Sequence, residues 1–276
     1  MSYILDRFVP LVTFGDSAEP LLLPPYDVAS TIEPGAVAAQ YVQTVMGGQF
    51  DGLGNADAHS ISQVIRHSAT FAQFSPADLE ERQIAIDRQL GRAGRLWRKW
   101  RASLALQWCY ARFTSLEGES APGQMVYQPV VMEFTRTSPW YSATQTTQTV
   151  TLAVTPYAFG VTRDVAANAP VFDAIITITP QGSAITDLVI ENLANGSYLR
   201  FTGTSITAGT SLVIDCGAGT MTNNGANAIR YLSLGAGHAI PDWFRLEAIL
   251  SQQVRVTRAG GNNNSTIKFE FYEAWR

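Results

Sequence analysis

Charge is scarce in this sequence: Asp, Glu, Lys and Arg make up 15% of its 276 residues, against about 25% in an ordinary soluble domain. The net charge is -4 at pH 7, so nothing in the total recruits phosphates, and a sequence-specific or general nucleic-acid binder is excluded. Cysteine is scarcer still. Cys109 and Cys216 lie far apart and neither belongs to a Cys-x-x-Cys, so zinc-ribbon and thioredoxin-like chemistry have no basis and each reads as a buried free thiol. His59, His67 and His238 have no metal-ligand spacing, and no acidic cluster offers a cage for a hard cation. No metal and no cofactor is expected. No apolar run approaches the roughly 18 residues of a membrane span, and Met1-Ser2-Tyr3-Ile4-Leu5-Asp6 has neither a basic nor an apolar signal region. The expectation is a chain made in a cytoplasm, with no membrane span and not exported by itself.

What is present is apolar and neutral-polar. Hydrophobic residues reach 46% and mean hydropathy is +0.02, values of a folded protein rather than a disordered one. At about 150 residues per domain the length suits two domains or one large β domain. Residues 1–74 are punctuated by Pro and Gly, which predicts short strands joined by loops. Ser75-Pro76-Ala77-Asp78, followed by Glu80 and Glu81, supplies an N-cap, a proline at the first helical position and an acidic first turn, so a helix is predicted over 76–91.

Where that helix stops decides how the arginines are read. If it continued, Arg88, Arg92, Arg95 and Lys99 would form one basic stripe. Gly91 and Gly94 each cost about 1 kcal/mol in a helix, and Leu104, Leu106, Trp108 and Tyr110 then alternate like a strand. The helix therefore ends near Gly91. Arg95–Arg101 and Ser103–Leu116 become two strands of a hairpin, which scatters the arginines over two faces. Gln124–Thr137 is a further strand, and a domain boundary is placed near Trp140, where the composition turns Thr-rich. Beyond it, strand and turn signals recur about every 8 to 12 residues, as in a sandwich or barrel. The expected strands are 149–155, 175–179, 187–191, 198–202, 211–215, 228–232, 254–258 and 266–272. Asn195-Gly196 and Asn224-Gly225 mark hairpin turns, and Gly260–Asn264 is read as a loop of the same kind.

Candidate chemistry is thin. Phe14-Gly15-Asp16-Ser17 opens like a GDSL-type serine esterase. That family also needs a late Asp-x-x-His pair to orient the base and take the serine proton, and no aspartate stands three residues before His238. Gly91-Arg92-Ala93-Gly94 and Gly235-Ala236-Gly237 lack the Lys-Ser/Thr of a phosphate loop and read as turns. No catalytic residue is therefore assigned, and the protein is expected not to be an enzyme. Tyr231, Trp243 and Trp275 are the candidates for a saccharide-stacking platform on the second half, although core or interface is the commoner fate of such rings.

The parts line up with a family. Gly47-Gly48-Gln49-Phe50-Asp51-Gly52, the capped helix, Gly91 to Trp97, the strand Leu106–Phe113 and Val130–Phe134 leading to Pro139-Trp140 resemble the distal tail protein of long-tailed, siphovirus-like bacteriophages. In the second half the echo is Ile190-Glu191-Asn192, Asn195-Gly196, Phe201-Thr202-Gly203, Ala208-Gly209, Leu212–Asp215 and Asn224-Gly225. The resemblance implies a mainly β chain of two β-rich domains: a ring-forming N-terminal β-sandwich with one helix and a hairpin (1–140), and a galectin-like C-terminal β-sandwich (141–276). It implies a homohexameric ring in the virion tail tip, assembled in the host cytoplasm. Its partners would be the tail tube protein, the tail hub or tip protein, the tape-measure protein and a receptor-binding protein. Arg92, Arg95, Arg98, Lys99 and Arg101 are expected to meet acidic neighbours at subunit contacts. A saccharide-binding, receptor-recognition module is the alternative.

Overall fold

Inside-outside alternation along the last two long strands, broken only near the end of the second where Glu273 and Ala274 are both buried, shows how this sequence builds its layers. In β17 (Ser251–Gly260) Gln252, Val254, Val256 and Arg258 point inward, and in β18 (Thr266–Trp275) Ile267, Phe269, Phe271 and Glu273 do, the two-residue period of a half-buried strand. The structure, a computed structural model, describes residues 3–11, 21–23, 31–32, 63–72, 81, 84–100, 105–118, 127–233 and 243–275. The protein is mainly β, and its described residues divide into two compact units, one reaching Ala143 and the other running from Thr144.

The strands of the first unit are β1 (Tyr3–Pro10), β2 (Leu21–Leu22), β3 (Thr31–Ile32), β4 (Gln63–Ala72), β5 (Ala93–Trp100), β6 (Leu106–Gly118), β7 (Tyr127–Arg136) and the start of β8 (Trp140–Thr151). All described pairings are antiparallel, in the order β2-β1-β5-β6-β7-β4-β3. These strands form one continuous sheet. The sheet curls: β5 and β6 separate β1 from β7, yet the rings of Phe8 and Phe134 lie 5.5 Å apart, with Phe113 stacked on Phe134 at 4.9 Å. Leu96, Cys109 and Met132 complete this fully buried face. Gly94 belongs to it as well, inside β5 rather than in a turn. A Cβ there would sit 2.5 Å from the Val9 carbonyl oxygen and 2.7 Å from the Phe8 ring, so only glycine lets β1 and β5 close.

The predicted helix is visible at Glu81 and over 84–87, where Ile86 is buried. Its last turn tightens into three-residue hydrogen bonds, Gln89 N–H to Ile86 O and Leu90 N–H to Asp87 O. Gly91 ends it at φ +79, a left-handed cap that other residues rarely adopt. The hairpin follows in the expected place, with Trp97 paired to Trp108 and Arg95 to Tyr110.

In the second unit the rest of β8 is followed by β9 (Tyr157–Thr162), β10 (Ile175–Thr179), β11 (Ile185–Asn192), β12 (Tyr198–Phe201), β13 (Leu212–Asp215), β14 (Thr220–Asn223), β15 (Ala226–Asn227), β16 (Leu232–Ser233), β17 and β18. One sheet runs β15-β14-β13-β10-β18-β8 and the other β16-β12-β11-β17-β9. Ile176, Ile178, Leu212 and Phe269 on the first face Val161, Leu188, Phe201 and Val254 on the second, all buried, and Phe159 meets Phe269 across the gap at 6.0 Å. This is a two-sheet sandwich.

Several local expectations are corrected. The Thr-rich strand begins at Trp140 and stops at Thr151, where Leu152 turns inward. The strand expected over 228–232 is a 3-10 turn, Ile229–Tyr231, between two-residue strands, because the Asn227 carboxamide oxygen accepts the Ile229 N–H and breaks the extended run. β9 and β14 lie where no strand was expected. The Gly260–Asn264 loop is no hairpin: it carries the chain from one sheet to the other. The Arg258 guanidinium holds that crossing, donating to the carbonyls of Leu152, Gly260 and Asn262.

Candidate functional site

The arginine-rich hairpin splits by parity. Gly94, Leu96 and Arg98 face the buried side of β5, while Ala93, Arg95, Trp97 and Lys99 face the other. Arg98, expected at a subunit surface, is corrected: it is only 2% exposed. Its guanidinium carbon lies 3.8 Å from the Trp140 ring centroid and its Nε donates to the Gln107 side-chain oxygen at 3.0 Å. Arg136 approaches the same ring at 5.7 Å, so one fully buried indole is shared by two cations. Their charge pulls the Cys109 thiol pKa down, but burial outweighs it and pushes the thiol up to about 12. Arg101 lies outside the described residues.

On the opposite face the register lines up Leu22, Arg7, Trp97, Trp108 and Tyr141 across five strands. Arg7 stands 4.8 Å over Trp97, and Arg95 stands 4.4 Å over Trp108 and 6.0 Å over Tyr110. Trp108 in turn packs on Tyr141 at 4.7 Å and edge-on to Tyr110 at 5.1 Å. Each guanidinium over an indole is worth about 0.5–2 kcal/mol, depending on its access to water. A bulge in β1 between Leu5 and Arg7 turns Asp6 onto this face as well. Its carboxylate sits 3.0 Å from Lys99 Nζ and 3.8 Å from Arg7 Nε. Arg112, paired with Ala93 and donating to the Gly91 carbonyl, adds a further cation, while Arg92 holds the turn just before β5. The sequence reading expected the two hairpin strands but not the register that sets Trp97 against Trp108. Arg7 and Tyr141 were missed, because nothing local announces strands that arrive from elsewhere in the chain.

The three saccharide candidates lie on separate elements. Tyr231 lies in the 3-10 turn, edge-on to Phe201 at 6.1 Å, and its hydroxyl accepts from Arg230. Trp243 is half-buried at the start of a described stretch and Trp275 is half-buried at the end of β18. No ring contact joins any two of them among the described residues. Ser17, His59 and His238 lie outside the described residues.

The second unit uses its polar groups differently. Arg163 Nε and Glu273 form a buried ion pair at 3.1 Å, side chains 1% and 7% exposed. Arg163 also donates to the carbonyls of Ala169 and Glu247, and Glu273 accepts the Asp164 N–H. Beside it Asn192, Asn195 and Gln252 bond the 245–247 backbone and the Glu247 carboxylate. Desolvation lowers the Arg163 pKa, with Glu273 acting the other way. Among the described residues no group of three or more His, Cys, Asp or Glu could hold a metal ion.

Comparison with known proteins gives this framework its class. Residues 168–275 match the family model described as siphovirus-type tail component, C-terminal domain, so this part of the chain carries a phage-tail component domain. A finer likeness covers nearly the whole chain. The crystal structure of the Dit protein of bacteriophage SPP1, described as a paradigm of the hub adsorption apparatus in phages infecting Gram-positive bacteria, superposes with TM-score 0.55 at 14% identity over 98% of both chains. The fold is thus that of a distal tail protein. Two structures of the phage P2 baseplate in its activated conformation, with Ca and with Sr, match at TM-scores of 0.43 and 0.45, each at 10% identity over 98% of both chains. No curated protein matches in sequence.

Proposed function

We propose that this chain is a structural hub protein of a siphovirus-type tail tip, and that copies of it close into a ring, a homohexamer, joining the tail tube to the baseplate or host-recognition proteins. The observation that carries the reading is the coincidence, on one chain, of a tail-component C-terminal domain over 168–275 and a whole-length distal-tail fold. In this reading residues 1–140 form the ring and 141–276 the peripheral domain. The partners are other copies of the chain, the tube protein, the hub or tip protein, the tape-measure protein and a receptor-binding protein. The chain works by interface geometry and not as an enzyme. Assembly takes place in the host cytoplasm and the product resides in the virion tail. Both units spend their buried polar groups on rigidity, Arg98 and Arg136 on Trp140 and Arg163 on Glu273, which suits a part that must hold its neighbours in register. Head-to-tail contacts that close into a ring also cover sheet edges. Arg92, Arg95 and Lys99 remain the contact residues of this proposal. Light scattering coupled to size exclusion, followed by negative-stain imaging, tests it. A discrete ring is expected, and a monomer at every concentration would count against it.

A further inference from the structure

The outer face of β1, β5 and β6 is rich in donors and poor in acceptors. Arg7, Arg95, Lys99 and Arg112 stand there around the carboxylate of Asp6, which Lys99 and Arg7 already share, and the one further carboxylate described on these strands, Glu117, lies at the far end of β6. The Nε–H groups of Arg7 and Arg95 and the indole N–H of Trp97 are buried and find no hydrogen-bond acceptor among the described residues. A buried donor without an acceptor is costly enough that folded proteins rarely leave several together. The rings beneath fix where these donors point, so little side-chain freedom remains to be lost on binding. An apolar rim adjoins them: Leu22, at the end of the same cross-strand row, is 58% exposed.

The same unit displays a surface of opposite character. On the helical turn before β5, Asp87 is exposed and flanked three residues to either side by Ile84 and Leu90, 44% and 47% exposed, with Glu81 exposed one turn earlier. The three-residue hydrogen bonding of this last turn brings Asp87 and Leu90 into line. Among the described residues of this stretch, Arg88 is the one exposed cation. A carboxylate between two aliphatic side chains is what a face of guanidinium edges and indole rings lacks.

Resting on the ring reading above, we infer that the Arg7–Arg95–Trp97 face of one copy receives the Ile84–Asp87–Leu90 turn of the next, the Asp87 carboxylate accepting from the Arg95 edge. A head-to-tail ring needs two different, complementary patches on each subunit. Among the described residues the first has an excess of cations and the second an excess of carboxylates, and the two lie on separate elements of one unit. A second copy is therefore the occupant.

The test uses the full-length chain and its concentration-dependent mass by light scattering, comparing the parent with R95E, D87R and the R95E/D87R swap. Each single variant should raise the concentration needed for half-assembly about tenfold, the scale of a close interfacial charge pair. The swap should return it to near the parent value. Asp87 is exposed and its replacement leaves the buried face untouched, so D87R also guards against a mere folding defect, checked by circular dichroism. R95E or D87R assembling like the parent overturns the inference while leaving the ring intact. Weakened singles without rescue in the swap also overturn it, and assign the acceptor to a different chain. A parent that stays monomeric overturns the ring reading together with this contact.

Discussion

The two units hold their arginines by opposite means. In the first, guanidiniums lie on rings: Arg7 on Trp97, Arg95 on Trp108, Arg98 and Arg136 on Trp140. In the second they pair with carboxylates: Arg163 with Glu273, Arg200 with Asp187, Arg245 with Glu247 and Arg255 with Glu191. Exceptions such as Arg66 with Glu133 in the first unit, and Arg230 on Tyr231 and Arg258 on backbone carbonyls in the second, show that this is a matter of supply. From Arg88 to Arg112 the sequence places seven cations and no Asp or Glu, but three tryptophans and a tyrosine. A cation there meets a π face because that is what its cross-strand neighbours offer. A ring accepts a cation without becoming a buried charge itself, so it tolerates the loss of its partner better than a carboxylate does.

Four sets of changes would break or sharpen that contrast. Trp140→Ala removes a fully buried indole together with the seat of two guanidiniums, and should cost about 4 kcal/mol in urea denaturation followed by circular dichroism. Arg163→Met strands the Glu273 carboxylate and should cost about 3 kcal/mol by the same measurement, whereas adding Glu273→Leu should recover most of it. Recovery in that double variant, with none available to Trp140→Ala, would mark the two kinds of seat as energetically different.

Gln148→Ala should cost about 1 kcal/mol. The Gln148 carboxamide donates to the Gly160 carbonyl at 2.6 Å and accepts the Thr162 N–H at 3.2 Å, standing on the outer edge of β9 as one residue of a parallel strand would. Its loss should also increase self-association, read as a rise in scattering at high protein concentration.

The smallest effect is set by pH. Hydrogen bonds from Arg66 and Ser115 hold the Glu133 carboxyl below its ordinary range, and Arg200 does the same for Asp187. Such carboxylates add stability that is whole above the unfolded pKa of about 4 and is lost as the pH falls through the lowered folded value. Glu133→Gln and Asp187→Asn should therefore lower the urea midpoint at neutral pH slightly and flatten its fall in acid. The change should be the smaller for Asp187, whose side chain is 37% exposed.

Much of the fold was legible because its signals are local. Gly91 ended the helix where the sequence said it should, and the Trp97–Trp108 hairpin followed. Asn195-Gly196 turned the chain between β11 and β12, with Gly196 at φ +72. What was not legible is set by distant partners. Whether Gly260–Asn264 makes a hairpin or crosses between sheets depends on which strand β18 joins, and no turn residue encodes that. Arg98 and Arg95 look alike in sequence, but strand parity sends one under Trp140 and the other over Trp108. The contact face was half readable for the same reason: the hairpin strands that carry part of it were expected, whereas their register came only with the structure and Arg7 came from a strand some ninety residues earlier.

Each unit carries one cysteine, Cys109 in the first and Cys216 in the second, both free, both sealed in a core and both with thiol pKa values pushed up by burial. Neither can react until its own core opens. The pair thus works as two independent clocks built into one chain: the rate at which each sulfur is alkylated times the opening of its own unit, with no label to add and no residue to change.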